Sequence, residues 1–186
     1  RPGASGMIAI DNIRSAKPDD ATLIILPSGT ITMTPHTHGT FRYDPERDLT
    51  PVARVATYAL GVAVNANLKV TNWADYLKQV RESAALRTYG TAGVGLSPHY
   101  VGVEVGKAIG ADLVHVPYKG AGPAINDAVG GQIPMVISTV PSLLTMVRDQ
   151  RLRLLATSGE ARDLNSPDVP TLRELGYDKL VVEEWF

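Results

Sequence analysis

No cysteine occurs among the 186 residues of this chain. That excludes a disulfide framework, a thiolate metal site and a cysteine nucleophile, and it fits either a reducing compartment or an exported protein that needs no cross-links. An excess of charge of one sign is also missing. The chain has 18 Lys+Arg against 19 Asp+Glu, a formal net charge of −1, so bulk electrostatics draw it neither to nucleic acid nor to an anionic membrane surface. Long apolar runs are lacking too. The longest, around Leu23 to Pro27 and Tyr58 to Val64, fall far short of the roughly 20 residues of a membrane-spanning helix. What is present is 44% hydrophobic and 20% charged residues, enough for one good core or two small ones, and too apolar for intrinsic disorder. The chain opens Arg1-Pro2-Gly3 without a methionine and stops at Trp185-Phe186 after an apolar run. Both ends are therefore expected to be cut, with any secretion signal lying upstream.

Short apolar runs alternate with helix-length segments bounded by Gly or Pro, the pattern of an α/β fold. Ser5 to Ala16 predicts a helix, Ala21 to Leu26 a buried strand and Pro27-Ser28-Gly29-Thr30 a polar turn. Thr32 to Pro51 reads as irregular or as a short helix. Val52 to Ala66 is a β-branched run that predicts one long strand, able to cross between two lobes. Asn72 caps a predicted helix through about Ala84, with Asp75 at the capping-box position and Trp73, Leu77 and Val80 facing the core. Thr88-Tyr89 leads into the glycine-rich Gly90 to Gly95, after which Ser97 as N-cap and Pro98 start a helix that stops at Gly110. Its buried stripe is Val101, Val105, Ala108 and Ile109.

Further on, Leu113 to Val116, Ile133 to Ile137 and Leu152 to Thr157 predict strands, with helices over Pro123 to Val129 and from Pro141 to about Asp149. Right-handed crossovers between them imply a mainly parallel sheet. Asn165 to Pro170 predicts a polar loop before a short helix at Thr171 to Leu175.

Gly90 to Gly95 places loop amides and a helix N-terminus at one point, a ready seat for an anion. It fits neither the Walker loop nor the dinucleotide fingerprint, and a tight turn that binds nothing explains the glycines equally well. His36 and His38 form a loop pair too weak for a metal site. His99, in the first turn after the glycine loop, faces either a ligand or a backbone carbonyl. No G-x-S-x-G elbow is present, so a hydrolase using His99 and a serine is the weaker alternative. Glu183 and Glu184 read as solvated charges at a frayed end. In His115-Val116-Pro117-Tyr118-Lys119-Gly120, a strand ends in a loop where Tyr118 and Lys119 either close on an acidic ligand or lie on the surface.

Read together, these segments resemble the substrate-binding receptors of tripartite tricarboxylate transporters, the Bug-type or TctC-like periplasmic proteins. The resemblance is carried by Arg1-Pro2-Gly3, Pro18-Asp19, Tyr43-Asp44-Pro45, Asp48-Leu49-Thr50-Pro51-Val52, Ser97-Pro98-His99, the His115 to Gly120 run, Pro123-Ala124 and Gly130-Gly131-Gln132. Leu152 to Ser158 and Asp168-Val169-Pro170-Thr171 complete it in family order. It implies a periplasmic-binding-protein type II fold of two α/β lobes, each with a mainly parallel sheet, the first incomplete in this chain. Residues 1–57 would belong to the first lobe and 58–186 to the second. It also implies a receptor, not an enzyme, with no cofactor and no metal. The ligand would be a small dicarboxylate, tricarboxylate or aromatic acid, passed to the membrane components of the transporter; a sensor or interaction module of the same fold is the alternative. Self-association is expected of a fragment that leaves half a core open.

Position by position, the resemblance assigns Ser28, Gly29 and Thr30 to the ligand-facing loop of the first lobe, and Gly93 and Gly95 to the glycine loop of the second. Thr91, Ser97, His99, Tyr118, Ser138 and Thr139 complete the expected ligand-binding set. Two departures stand out. Leu96 takes the place of a frequent Ser or Thr, and Ser138-Thr139 that of a frequent Asp-Asn, the loss of an acid that favours a ligand without an amino group.

Overall fold

The computed structural model describes residues 6–16, 22–37 and 43–186. Arg1-Pro2-Gly3, Pro18-Asp19 and His38 lie outside the described residues.

Four short helices come first: α1 (Met7–Ser15), α2 (Ser28–Thr32), α3 (Thr34–Thr37) and α4 (Pro45–Asp48). Ile10, Leu26 and Tyr43 form their own small core there. The sheet follows, made of β1 (Thr57–Asn65), β2 (Thr88–Thr91), β3 (Val114–Pro117), β4 (Met135–Thr139) and β5 (Leu152–Thr157), with the short β6 (Glu183–Trp185) added to the start of β1. Between the strands run α5 (Trp73–Glu82), α6 (Ser97–Ile109), α7 (Ala121–Gly130) and α8 (Val140–Arg148).

The strand order is β3-β2-β4-β1-β5. β2 pairs parallel with both β3 and β4, as the crossover argument predicts. β1 runs against β4 and β5 and pairs antiparallel with each, so the sheet is mixed. This happens because β1 enters from the small helical region instead of through a crossover helix, and nothing fixes its direction to that of the βαβ units. β1 is buried on both faces. Leu60, Val62 and Val64 pack with Trp73, Tyr76 and Val80 of α5 and Val101, Val105 and Ile109 of α6. Ala63 faces the layer of Ala124, Ile125 and Ala128 of α7 and Leu143 of α8. A three-layer α/β/α unit results.

Local signals placed most helix ends. The Asn72 side chain accepts from the Asp75 N–H at 2.9 Å, while the Asp75 carboxylate reaches back to the Thr71 N–H. α6 and α7 end on left-handed Gly110 and Gly131, a conformation that glycine adopts without strain.

Several expectations are corrected. Thr22 to Pro27 joins no strand ladder of the structure, and Leu23 and Ile25 are 74% and 70% exposed. Pro27 to Thr30 is not a turn but the cap and first turn of α2. The long strand begins at Thr57, not Val52, since Val52 and Val55 are exposed. Ala108 is exposed, which narrows the buried stripe of α6. Thr171 bridges to Thr157 and turns follow it in place of a helix.

Gly102 on α6 lies against the Tyr89 ring, where a Cβ would collide with it. Gly102→Ala would gain about 1 kcal/mol of helix propensity at an exposed site. Here it should instead destabilise by about 1–3 kcal/mol through overpacking, read as a lowered denaturant midpoint at unchanged slope.

Candidate functional site

β2 and α6 are joined by residues 92–96, and the loop is braced from within. The Thr91 hydroxyl donates to the Gly93 carbonyl at 2.9 Å and contacts His115 Nε2 at 2.7 Å. With its one hydrogen committed to Gly93, Thr91 accepts from His115, which assigns the Nε2–H tautomer. The Gly95 N–H donates to His99 Nδ1 at 3.3 Å, and the two imidazoles stack at 4.1 Å. Tyr89 holds the other side, its hydroxyl donating to the His99 carbonyl and its ring 5.0 Å from His115. Thr91 and His99 are thus committed to shaping the loop.

The loop glycines have separate causes. Gly90 lies inside β2, where a Cβ would meet Ile133 and the Tyr118 ring. Gly95 has φ +76°, the left-handed region that favours glycine.

Across from this loop stand α2 and α3. The Thr37 hydroxyl reaches the Gly95 carbonyl. Gly29 faces the start of α6, and a Cβ built there would stand 3.0 Å from both Ser97 Oγ and Glu184 Oε1. The Ser28 hydroxyl accepts from the Trp185 N–H at 3.3 Å. Thr30 is fully buried, and its carbonyl accepts from the Tyr43 hydroxyl. Ser28, Gly29, Gly95 and Ser97 are therefore brought to one junction.

Ser97 does not cap α6. Leu96 holds the cap position with no side-chain hydrogen bond, and the Ser97 hydroxyl donates to Glu184 Oε1 with Met33 Sδ at 3.0 Å. Ser97 is the first residue inside the helix, one position past the cap, so its hydroxyl has no capping amide to accept from and donates to a buried carboxylate instead. Glu184 is 5% exposed, contrary to the solvated end expected of it. In β6 it pairs directly with Tyr58 of β1; residues opposite each other in an antiparallel pair share a face, and the Tyr58 hydroxyl donates to Glu184 Oε2 at 3.1 Å. Burial and the neighbouring carboxylate both raise the Tyr58 pKa. Phe186 packs on the Tyr58 ring at 4.9 Å. Glu184 and Tyr58 are site residues that sequence reasoning missed. The alternation of a strand would have turned one of the two glutamates inward, had the pairing with β1 been known.

The remaining expected residues lie in other contacts. The Tyr118 hydroxyl donates to Asp127 of α7 at 2.7 Å. Thr139 caps α8, accepting from the Ser142 N–H, and Ser138 is buried in β4 beside Gly61. His36 is exposed on α3. Among the described residues no group of three or more His, Asp or Glu side chains has the arrangement to hold a metal ion, and no helix is long and apolar enough to cross a membrane.

With fold and junction in view, the chain can be placed: residues 1–186 match the family model described as tripartite tricarboxylate transporter family receptor, and the chain belongs to that family of substrate-binding receptors. A UPF0065 protein of Bordetella bronchiseptica is 32% identical over 94% of this chain and 51% of its own length. A solved structure described as a periplasmic transporter superposes with TM-score 0.93 at 34% identity, over 99% of this chain and 62% of that one. An R. palustris protein solved with adipate gives TM-score 0.94 at 28% identity, over 100% of this chain and 62% of that one. The chain spans about half the length of the curated relative and under two thirds of the solved ones. The α/β periplasmic-binding fold expected from the sequence is borne out.

Burial, then repulsion from His99, lowers the His115 pKa from 6.5 to about 4, and burial lowers that of His99. A depressed histidine pKa means that between about 6.5 and 4 the unfolded chain binds a proton the folded chain does not, so stability is full above that window and falls as pH drops through it. His115→Gln, which retains a donor toward Thr91, should flatten the fall in melting temperature between pH 6.5 and 4.

Proposed function

We propose that this chain is the ligand-gripping part of an extracytoplasmic receptor that takes up a small organic carboxylate between two lobes and presents it to the membrane components of a tripartite tricarboxylate transporter. The observation that carries the reading is the convergence of α2, the glycine loop and the start of α6 at one junction, in a chain whose family consists of such receptors. Residues 1–57 would contribute to one lobe and 58–186 to the other. Ser28, Gly29 and Thr30 then face Gly93, Gly95 and Ser97 across the cleft. A periplasmic location follows from the same reading, since the solved relative of highest quoted identity is described as a periplasmic transporter. So does the carboxylate class, since another was solved with adipate.

The chemistry required is capture alone. A carboxylate entering the cleft exchanges hydration for backbone amides and hydroxyls, charge-assisted donors that need not move a proton, and closure of the lobes converts occupancy into a shape the membrane partner reads. The exposed Leu23 and Ile25 would be covered by the rest of the first lobe.

A panel of small carboxylates tested by thermal unfolding of the full-length protein checks the reading. A ligand at 100 times its Kd stabilises by about 2.7 kcal/mol, a clear rise in melting temperature. Gly29→Ala, which places a methyl between the two walls of the junction, should abolish that rise while leaving a cooperative transition. If no carboxylate shifts the transition, the receptor reading fails.

A further inference from the structure

Two half-buried imidazoles lie ring against ring beside the glycine loop, His99 in the first turn of α6 and His115 in the edge strand β3, 4.1 Å apart. Hydrogen bonding assigns a tautomer to each. His115 donates through Nε2 to Thr91, and His99 accepts the Gly95 N–H at Nδ1, 3.3 Å away, so its own proton lies on Nε2. The loop is held from other sides as well: the Gly120 N–H donates to the Ala92 carbonyl at 3.1 Å, and the Thr37 hydroxyl reaches the Gly95 carbonyl. Thr91 serves the Gly93 end and His99 the Gly95 end.

A proton on His99 Nδ1 would face the Gly95 N–H donor to donor, and the bond that holds this end of the loop would become a repulsion. The cation would also sit against a second imidazole and in the first turn of a helix, where the macrodipole already presents positive charge. The groups facing the pair offer no compensating anion. Tyr89 of β2 donates to the His99 carbonyl and packs on His115, and the Tyr100 ring of α6 lies 5.5 Å from His99. Glu184 of β6 is bonded to Ser97 and Tyr58, and Glu104 of α6 pairs with Lys107. Lys119 after β3 and His36 on α3 are exposed. Among the described residues, what acts on His99 is burial, and on His115 burial with repulsion from His99, both against the charged form.

We propose that His99 is a proton-sensitive pin of the glycine loop: Nδ1 holds the Gly95 amide only while it is bare, and protonation releases residues 93–95 from the start of α6. His115 is the positioning residue behind it, stacked on His99 and tied through Nε2–H to Thr91 at the other end of the loop. The pin stands on these contacts alone. Its consequence for capture rests on the receptor reading: a released loop no longer holds its amides in one array, and since the held loop excludes the proton, affinity for a carboxylate falls on acidification.

Nuclear magnetic resonance of the full-length protein tests it, with the exposed His36 as the reference imidazole. At neutral pH the His99 ring should be the Nε2–H tautomer, and the backbone order parameters of Gly93, Val94 and Gly95 should be about 0.85, as in rigid backbone. As His99 takes up its proton, below the midpoint of His36, these three should drop below about 0.6 while β4 and α8 keep theirs. His99→Gln offers an amide oxygen to the Gly95 N–H and does not titrate, so its loop should stay rigid over the same range. The ratio of wild-type to His99→Gln affinity for any one carboxylate of the panel should fall at least about threefold across that range, a comparison in which protonation of the ligand cancels. An Nδ1–H tautomer at neutral pH, or loop order parameters that stay unchanged while wild-type His99 titrates, overturns the pin, and both are read on the wild-type protein whether or not His99→Gln folds. A constant affinity ratio overturns its role in capture. If no carboxylate binds at any pH, the receptor reading falls and the order parameters alone decide the pin.

Discussion

A carboxylate that has left water must be met by donors or lose its charge, and in this chain that requirement falls on Glu184. Its position organises the junction on which the functional reading depends. The Ser97 hydroxyl, in the first turn of α6 just past Leu96 at the cap position, donates to the Glu184 carboxylate. Tyr58 is held by its hydroxyl at the start of β1. Position 29 accepts nothing larger than glycine without pressing on the carboxylate or on Ser97. The first turn of α6 contributes a further favourable field, since the positive end of a helix macrodipole stabilises a nearby anion by about 0.3–1 kcal/mol.

A second layer of constraint surrounds the glycine loop. Two of its glycines answer steric demands of the fold: Gly90 makes room for Ile133 and Tyr118, and Gly95 supplies a left-handed turn. Thr91, His115 and His99 form a chain of contacts that keeps the loop in one conformation. The loop is thus held from within by its own hydrogen bonds and ring contacts, with side chains from α3 and β6 brought up against it. Glu184 is the charged one among them.

What was legible in the sequence follows the range of the interactions concerned. Asn72 with Asp75, Gly110 and Gly131 act within a few residues, and the helix ends they signal are found where expected. The α/β class and the family were readable because motif order survives over the whole chain. Segment 22–27 was misread because a short apolar run states a preference for a ladder without naming its partner. The mainly parallel sheet expected from the crossovers is mixed because crossover helices dictate direction only for the strands they connect, and β1, with none before it, runs antiparallel to its neighbours. Glu184 escaped for the same physical reason. Its partners Ser97 and Tyr58 are 87 and 126 residues away in sequence, and its burial is decided by a strand of three residues whose pairing has no local signature.

The coupling between Glu184 and Ser97 is the central claim, and a double-mutant cycle in equilibrium unfolding measures it directly. Ser97→Ala, Glu184→Gln and the double variant are compared with the wild-type chain at neutral pH. A hydrogen bond to a buried charged group predicts that the single variants are not additive, with a coupling of about 1–3 kcal/mol. Additivity within about 0.5 kcal/mol would contradict it, leaving the two residues as neighbours without a shared bond and the junction without its organising charge.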